Sequence, residues 1–126
     1  MPAGWSDQYE AYLGSRPETD AEGCLQDMHG SHGNVGYFPT YSLGSVMATQ
    51  LFDAAEDELG DLDDDIRNAE FDRLHEWLRE NVHGHGARYE TNELVEQATG
   101  EAFTADAFLA YVREKYGELY DLEESV

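Results

Sequence analysis

A single cysteine, Cys24, stands in this sequence of 126 residues. One thiol cannot close an internal disulfide, and no CxxC or Cys/His spacing points to zinc. Its apolar context makes it an inert thiol rather than a nucleophile. Basic residues are also scarce. Seven Lys and Arg face 28 Asp and Glu, with Lys115 the one lysine, for a formal net charge of −21. Such an excess of acid repels polyanions and excludes nucleic acid as a partner. No stretch approaches the roughly 18 apolar residues of a membrane span. The start, MPAGWSDQYE, has neither the basic nor the apolar run of a signal peptide, so a cytoplasmic protein with no membrane partner is expected. Alternating strand patterns and internal repeats are missing too, and the fold class that remains is all-α.

What is present supports a globular chain. Hydrophobic residues make up 40% and aromatics 12%, enough for one domain over 1–126. The acid is spread through DAAEDELGDLDDD, EFDR and DLEESV, the pattern of a solvated surface rather than of one motif. Like charges at this density strain a folded state unless salt screens them. A halophilic organism is therefore the expected setting, in preference to an acidic binding face.

Periodicity and caps predict the helices. Ser6 caps a first helix that stops at Gly14, and Thr19 or Asp20 caps a short one through AEGCLQDMH. The glycines from Gly30 to Gly36 predict a loop. Pro39 opens a long helix to about Leu59, with Leu43, Val46, Met47, Leu51, Ala54 and Ala55 at helical spacing. GDLDDD breaks it and caps one further helix carrying Ile66, Ala69, Leu74, Trp77, Leu78 and Val82, which ends at Gly84 and Gly86. Thr91 caps NELVEQATG, and Thr104 caps a last helix with Phe108, Leu109, Val112, Tyr116 and Leu119 on one face.

Chemistry concentrates in GCLQDMHGSHGNVGYFPTYSLG, Gly23 to Gly44, which is nearly uncharged and rich in glycine. His29 and His32, and separately His83 and His85, could each touch one metal, but a stable site needs three or four ligands. HExxH is absent, and HEWLRE at His75 has no second histidine; the residues give no metal site. His83 and His85 suit a polar helix end near the negative pole of the dipole. Asp27 could orient His29. Tyr37 and Tyr41 bracket a helix start, where phenols either hold a developing oxyanion or sit in the core with satisfied hydroxyls. Spacing alone leaves both open.

As a string, GCLQDMH followed by GYFPTYSLG resembles the C-terminal portion of the carboxypeptidase Taq family of zinc metallocarboxypeptidases. Gly23, Gln26, Asp27 and His29 match its G-x-x-Q-D-x-H-W signature, with Gly30 in place of the final tryptophan. The similarity continues through SVMATQLF, WLRENVHGHGARYETNELVEQATGEAF and YVREKYGELY. It implies a helical subdomain with one Gly-rich cleft loop, the last quarter or so of a larger, mostly helical metallopeptidase. In that family an HExxH pair and a downstream glutamate hold zinc (or cobalt); these elements, and an arginine-bearing motif for the substrate carboxylate, are expected in a missing N-terminal catalytic part.

The resemblance further implies that His29, Tyr37 and Tyr41 act on a peptide substrate in the complete enzyme, one phenol donating to the oxyanion. Gln26, Asp27, Gly36 and Phe38 would line the cleft, which explains the low charge and high glycine of the segment. Without HExxH the isolated chain is expected to be inactive. The family's usual dimer would make a second copy a partner. The competing expectation is a stand-alone acidic helical protein, derived from that enzyme, with a binding or scaffolding role.

Overall fold

The computed structural model describes residues 2–122. Helices form every regular element among them, in the order α1 (Pro2–Leu13), α2 (Pro39–Leu59), α3 (Asp63–Arg67), α4 (Asp72–Asn81), α5 (Thr91–Thr99) and α6 (Asp106–Tyr120). The all-α expectation holds. None of these helices is long and apolar enough to cross a membrane. Packing divides the chain into two units, Met1–Tyr41 and Ser42–Val126.

In the first unit α1 runs from Pro2, so Ser6 lies inside the helix rather than at its cap. Gly14, at φ +70°, stops it as predicted. On α1, Trp5 stacks on Tyr9 with ring centroids 4.8 Å apart. The indole also lies over Gly23, which is buried: a Cβ there would come within 3.2 Å of Trp5 Cζ3. The predicted helix through AEGCLQDMH does not form. Residues 19–26 make successive turns instead, Gly23 N donating to Asp20 O at 3.2 Å and Gln26 N to Gly23 O at 3.0 Å. Local side chains win the competition here, because Thr19 Oγ1 and Glu22 Oε2 accept the backbone N–H groups of Glu22 and Glu18. The predicted loop at 30–36 contains one 3-10 turn, Gly30–His32, closed by Gly33 at φ +85°.

The second unit is built on the greater part of α2, whose bounds match the predicted helix. Leu51, Ala55, Leu62 and Trp77 form its buried cluster, with Met47, Phe52, Leu74, Leu78 and Ala98 packed around it. The single helix expected over Ile66–Val82 is two. Ala69 adopts φ +58°, and Ile66 is 41% exposed, so the apolar stripe does not run through that point. Arg73 holds the break by pairing with Asp65 at 2.7 Å and donating to the Leu59 carbonyl, which caps the end of α2. Glu90, not Thr91, caps α5: its side chain and that of Glu93 form a reciprocal capping box. Ala105 occupies the cap position of α6, while Thr104 Oγ1 accepts from Asp106 N at 3.3 Å. Buried Gln50 ties α2 to the connection before α6, donating to Ala102 O at 3.0 Å and accepting from Thr104 N at 3.2 Å.

His83–His85 is a separate 3-10 turn after α4. Gly84 is fixed there by space, since a Cβ would fall 2.8 Å from the Arg79 carbonyl oxygen. That atom belongs to the backbone of α4 and cannot rotate away. Gly84→Ala is therefore expected to destabilise the fold by about 1–3 kcal/mol, the usual cost of forced overpacking. Urea unfolding followed by helicity measures it, and an unchanged midpoint would disprove the clash.

Candidate functional site

The residues singled out in GCLQDMH and GYFPTY all lie in the first unit, and the structure brings four of their rings together. Two turns set the geometry. Asp27 Oδ1 accepts the backbone N–H of His29 at 2.9 Å, which folds the carboxylate back over the histidine. The same oxygen lies 2.6 Å from His29 Nδ1. These contacts, the backbone N–H first and the ring second, hold the Asp27 carboxyl below its ordinary range. Gln26 reaches back with its side-chain amide to the Ala21 carbonyl, pinning the turn that leads into Asp27.

The second turn carries the phenols. Gly36 takes φ +76°, a conformation that suits glycine, and so redirects the chain into Tyr37. Thr40, in the first turn of α2, closes that turn, its hydroxyl donating to Tyr37 O at 2.7 Å and its N–H to the same oxygen at 2.9 Å. Tyr37 and Tyr41 consequently stand one turn apart on one side of the helix start, their rings edge to face at 5.9 Å.

His29 sits at the centre of this group. Its ring stacks on Tyr37 at 5.2 Å and 24°, lies 5.7 Å from Phe38, and meets Tyr41 at 5.6 Å. His29 Nε2 is 3.3 Å from the Tyr41 hydroxyl. Three polar groups thus run in a row, carboxylate to imidazole to phenol, against an aromatic wall open to solvent: Tyr37 is 49% exposed and Phe38 57%. Chemically this can offer hydrogen bonds to a polarised oxygen and an apolar face to a side chain.

The histidine pairs singled out for metal do not converge. His32 Nδ1 faces the Met28 carbonyl at 3.0 Å, apart from the His29 pairing with Asp27. His85 packs on Tyr89, with centroids 5.3 Å apart, in the second unit. Among the described residues no three His, Cys, Asp or Glu gather where they could hold a metal ion. The donor set among the described residues does not fit a zinc site. Position 30, where the signature has tryptophan, is open: a Cβ on Gly30 would meet nothing within 4 Å. Phe38 is a third ring beside His29. Sequence reading missed the Trp5–Gly23 contact beneath the motif. Only the glycine at the head of the signature hinted at a close approach.

Residues 1–116 match the family described as Carboxypeptidase Taq (M32) metallopeptidase. Over 116 residues the chain is 41% identical to Thermostable carboxypeptidase 1 of Pyrococcus furiosus, covering 92% of this chain and 23% of that protein. Thermostable carboxypeptidase 1 of Thermus thermophilus is 42% identical over 120 residues, 95% of this chain and 24% of its own length. The crystal structure of the M32 carboxypeptidase from Deinococcus radiodurans R1 superposes with a TM-score of 0.88 at 45% identity, covering 97% of this chain and 25% of that one. The chain spans about a quarter of the length of the curated relatives it matches, a C-terminal portion of them.

Proposed function

The chain belongs to the carboxypeptidase Taq (M32) metallopeptidase family, and from that membership we propose that residues 23–41 form a wall of the substrate cleft in a zinc-dependent carboxypeptidase. The observation that supports this best is the clustering of His29, Tyr37 and Tyr41 around one open aromatic surface. In this reading a peptide's C-terminal segment lies against that surface. One of the phenols donates a hydrogen bond to the oxygen that becomes negative as the scissile carbonyl is attacked, and His29 holds the phenols beside it. Phe38 and Gly36 shape the wall and allow close approach of the substrate backbone. Gln26 holds the turn, and Asp27 orients the imidazole. Zinc, or cobalt, belongs to the remaining three-quarters of the polypeptide, where it would supply the activated water.

Two preparations test this. The isolated chain, supplied with zinc or cobalt, is expected to release no C-terminal amino acids from peptides. A chimera carrying residues of this chain in place of the matching 120-residue portion of the Thermus relative is expected to be active and to lose activity to a chelator. A chimera that folds cooperatively, binds zinc and still releases nothing would overturn the assignment, as would chelator-sensitive release by the isolated chain. A stand-alone binding role is the second reading, favoured by the exposed apolar surface at Tyr37, Phe38 and Tyr41. It predicts that the chimera is inactive.

A further inference from the structure

The two phenols in the cluster are not equivalent. Tyr41 places its hydroxyl 3.3 Å from His29 Nε2. The Tyr37 hydroxyl makes no hydrogen bond to any described residue, although its ring stacks on the same imidazole. What decides between them sits on the opposite edge of the ring. We infer that Asp27 fixes His29 in the Nδ1–H tautomer, so that the Tyr41 hydroxyl donates to His29 Nε2 and the Tyr37 hydroxyl is the phenol left to donate to a bound ligand. The part of this that concerns a ligand deepens the cleft reading and rests on it; the tautomer does not.

The argument is one of donors and acceptors. An ionised carboxylate only accepts, and Asp27 Oδ1 is 2.6 Å from His29 Nδ1. The depressed Asp27 carboxyl keeps that group ionised at neutral pH. The proton of the neutral imidazole must then reside on Nδ1, and Nε2 carries a lone pair. A lone pair facing a phenol oxygen is satisfied only if the phenol hydrogen points at it. Tyr41 therefore spends its one O–H on His29 and presents only lone pairs elsewhere, which repel a developing oxyanion. Tyr37 keeps its O–H.

Asp27 is thus a positioning residue, acting on Tyr41 through the imidazole ring. Its carboxylate is not interchangeable with a small side chain, because free imidazole in water favours the opposite tautomer, with the proton on Nε2. Losing Asp27 would turn Nε2 into a donor and reverse the direction of the contact with Tyr41.

The test needs only this chain, labelled with nitrogen-15. Long-range nitrogen–proton correlation spectra at about pH 9, above the usual histidine range, separate the two tautomers by which ring nitrogen carries the proton. The expected result is His29 in the Nδ1–H form, unchanged in Tyr37→Phe and Tyr41→Phe. In Asp27→Ala the Nε2–H form should predominate, with the Trp5 indole signal at its wild-type position as the sign that the first unit is intact. A wild-type His29 in the Nε2–H form would overturn the inference outright, whatever the variants do. So would an Asp27→Ala variant that keeps the Nδ1–H form. Neither outcome touches the cleft reading, which the chimera decides separately.

Discussion

Replacing Trp77 with alanine is expected to cost about 3–5 kcal/mol of stability, the range for removing a buried aromatic ring. Trp77 is 4% exposed and is the bulkiest member of the buried cluster with Leu51, Ala55 and Leu62. Its neighbours come from α2, from the 60–62 connection and from α4, so truncation opens a void that no single side chain can fill. Against the 5–15 kcal/mol typical of a domain this is a large share. The indole N–H also donates to Glu58 Oε2 at 2.7 Å. Trp77→Phe separates the two contributions. It removes the hydrogen bond and only part of the volume, and Glu58 is exposed, so the freed carboxylate turns to water. The phenylalanine variant should therefore lose much less than the alanine variant. Denaturant unfolding of both, read by helicity, checks this; equal losses would mean that the hydrogen bond, not the packing, dominates.

In the chimera with the Thermus relative, Tyr37→Phe is expected to lower kcat by about 10²- to 10³-fold, the effect of deleting one donor to an oxyanion. KM should change little, because the bond strengthens only as charge develops on the carbonyl oxygen. Tyr41→Phe should cost less, since its hydroxyl is engaged with His29 Nε2. His29→Ala should also lower kcat, because it removes the ring on which Tyr37 stacks. Steady-state kinetics on the three variants gives separate answers to separate questions. Full activity in all three would remove the cluster from the reaction. A larger loss in Tyr41→Phe than in Tyr37→Phe would leave the cluster catalytic and exchange the roles of the two phenols.

How far the sequence could be read depended on how local each determinant was. Both ends of α2 were legible, since Pro39 and the GDLDDD break act through the backbone of their own neighbours. The stops at Gly14 and Gly100 were legible for the same reason, both glycines lying at positive φ. The turns at 19–26 were not. Gly23 reads as a tolerable helix residue until Trp5 is placed on top of it, and that contact links positions no periodicity connects. The break at Ala69 was hidden likewise, because its restraint is Arg73 reaching Asp65 and the end of α2. At the α5 start the choice between Thr91 and Glu90 turned on a reciprocal pair of glutamates, and glutamate is not a preferred cap.

The site divides in the same way. Spacing left the phenols of Tyr37 and Tyr41 undecided between core and cleft, and only the signature around Gln26, Asp27 and His29 favoured a cleft. The structure adds what neither spacing nor signature contains: the order carboxylate, imidazole, phenol, and the half-exposed face beside it.

The stacking of Trp5 over Gly23 also has a consequence for how this protein can diverge. A side chain at position 23 is admitted only if the indole withdraws, and a smaller ring at position 5 uncovers the backbone on which the Asp27 turn is founded. A change at either position strains the other, so the two sites are expected to drift together. The opening helix and the signature that begins at Gly23 are in that sense coupled characters in descent.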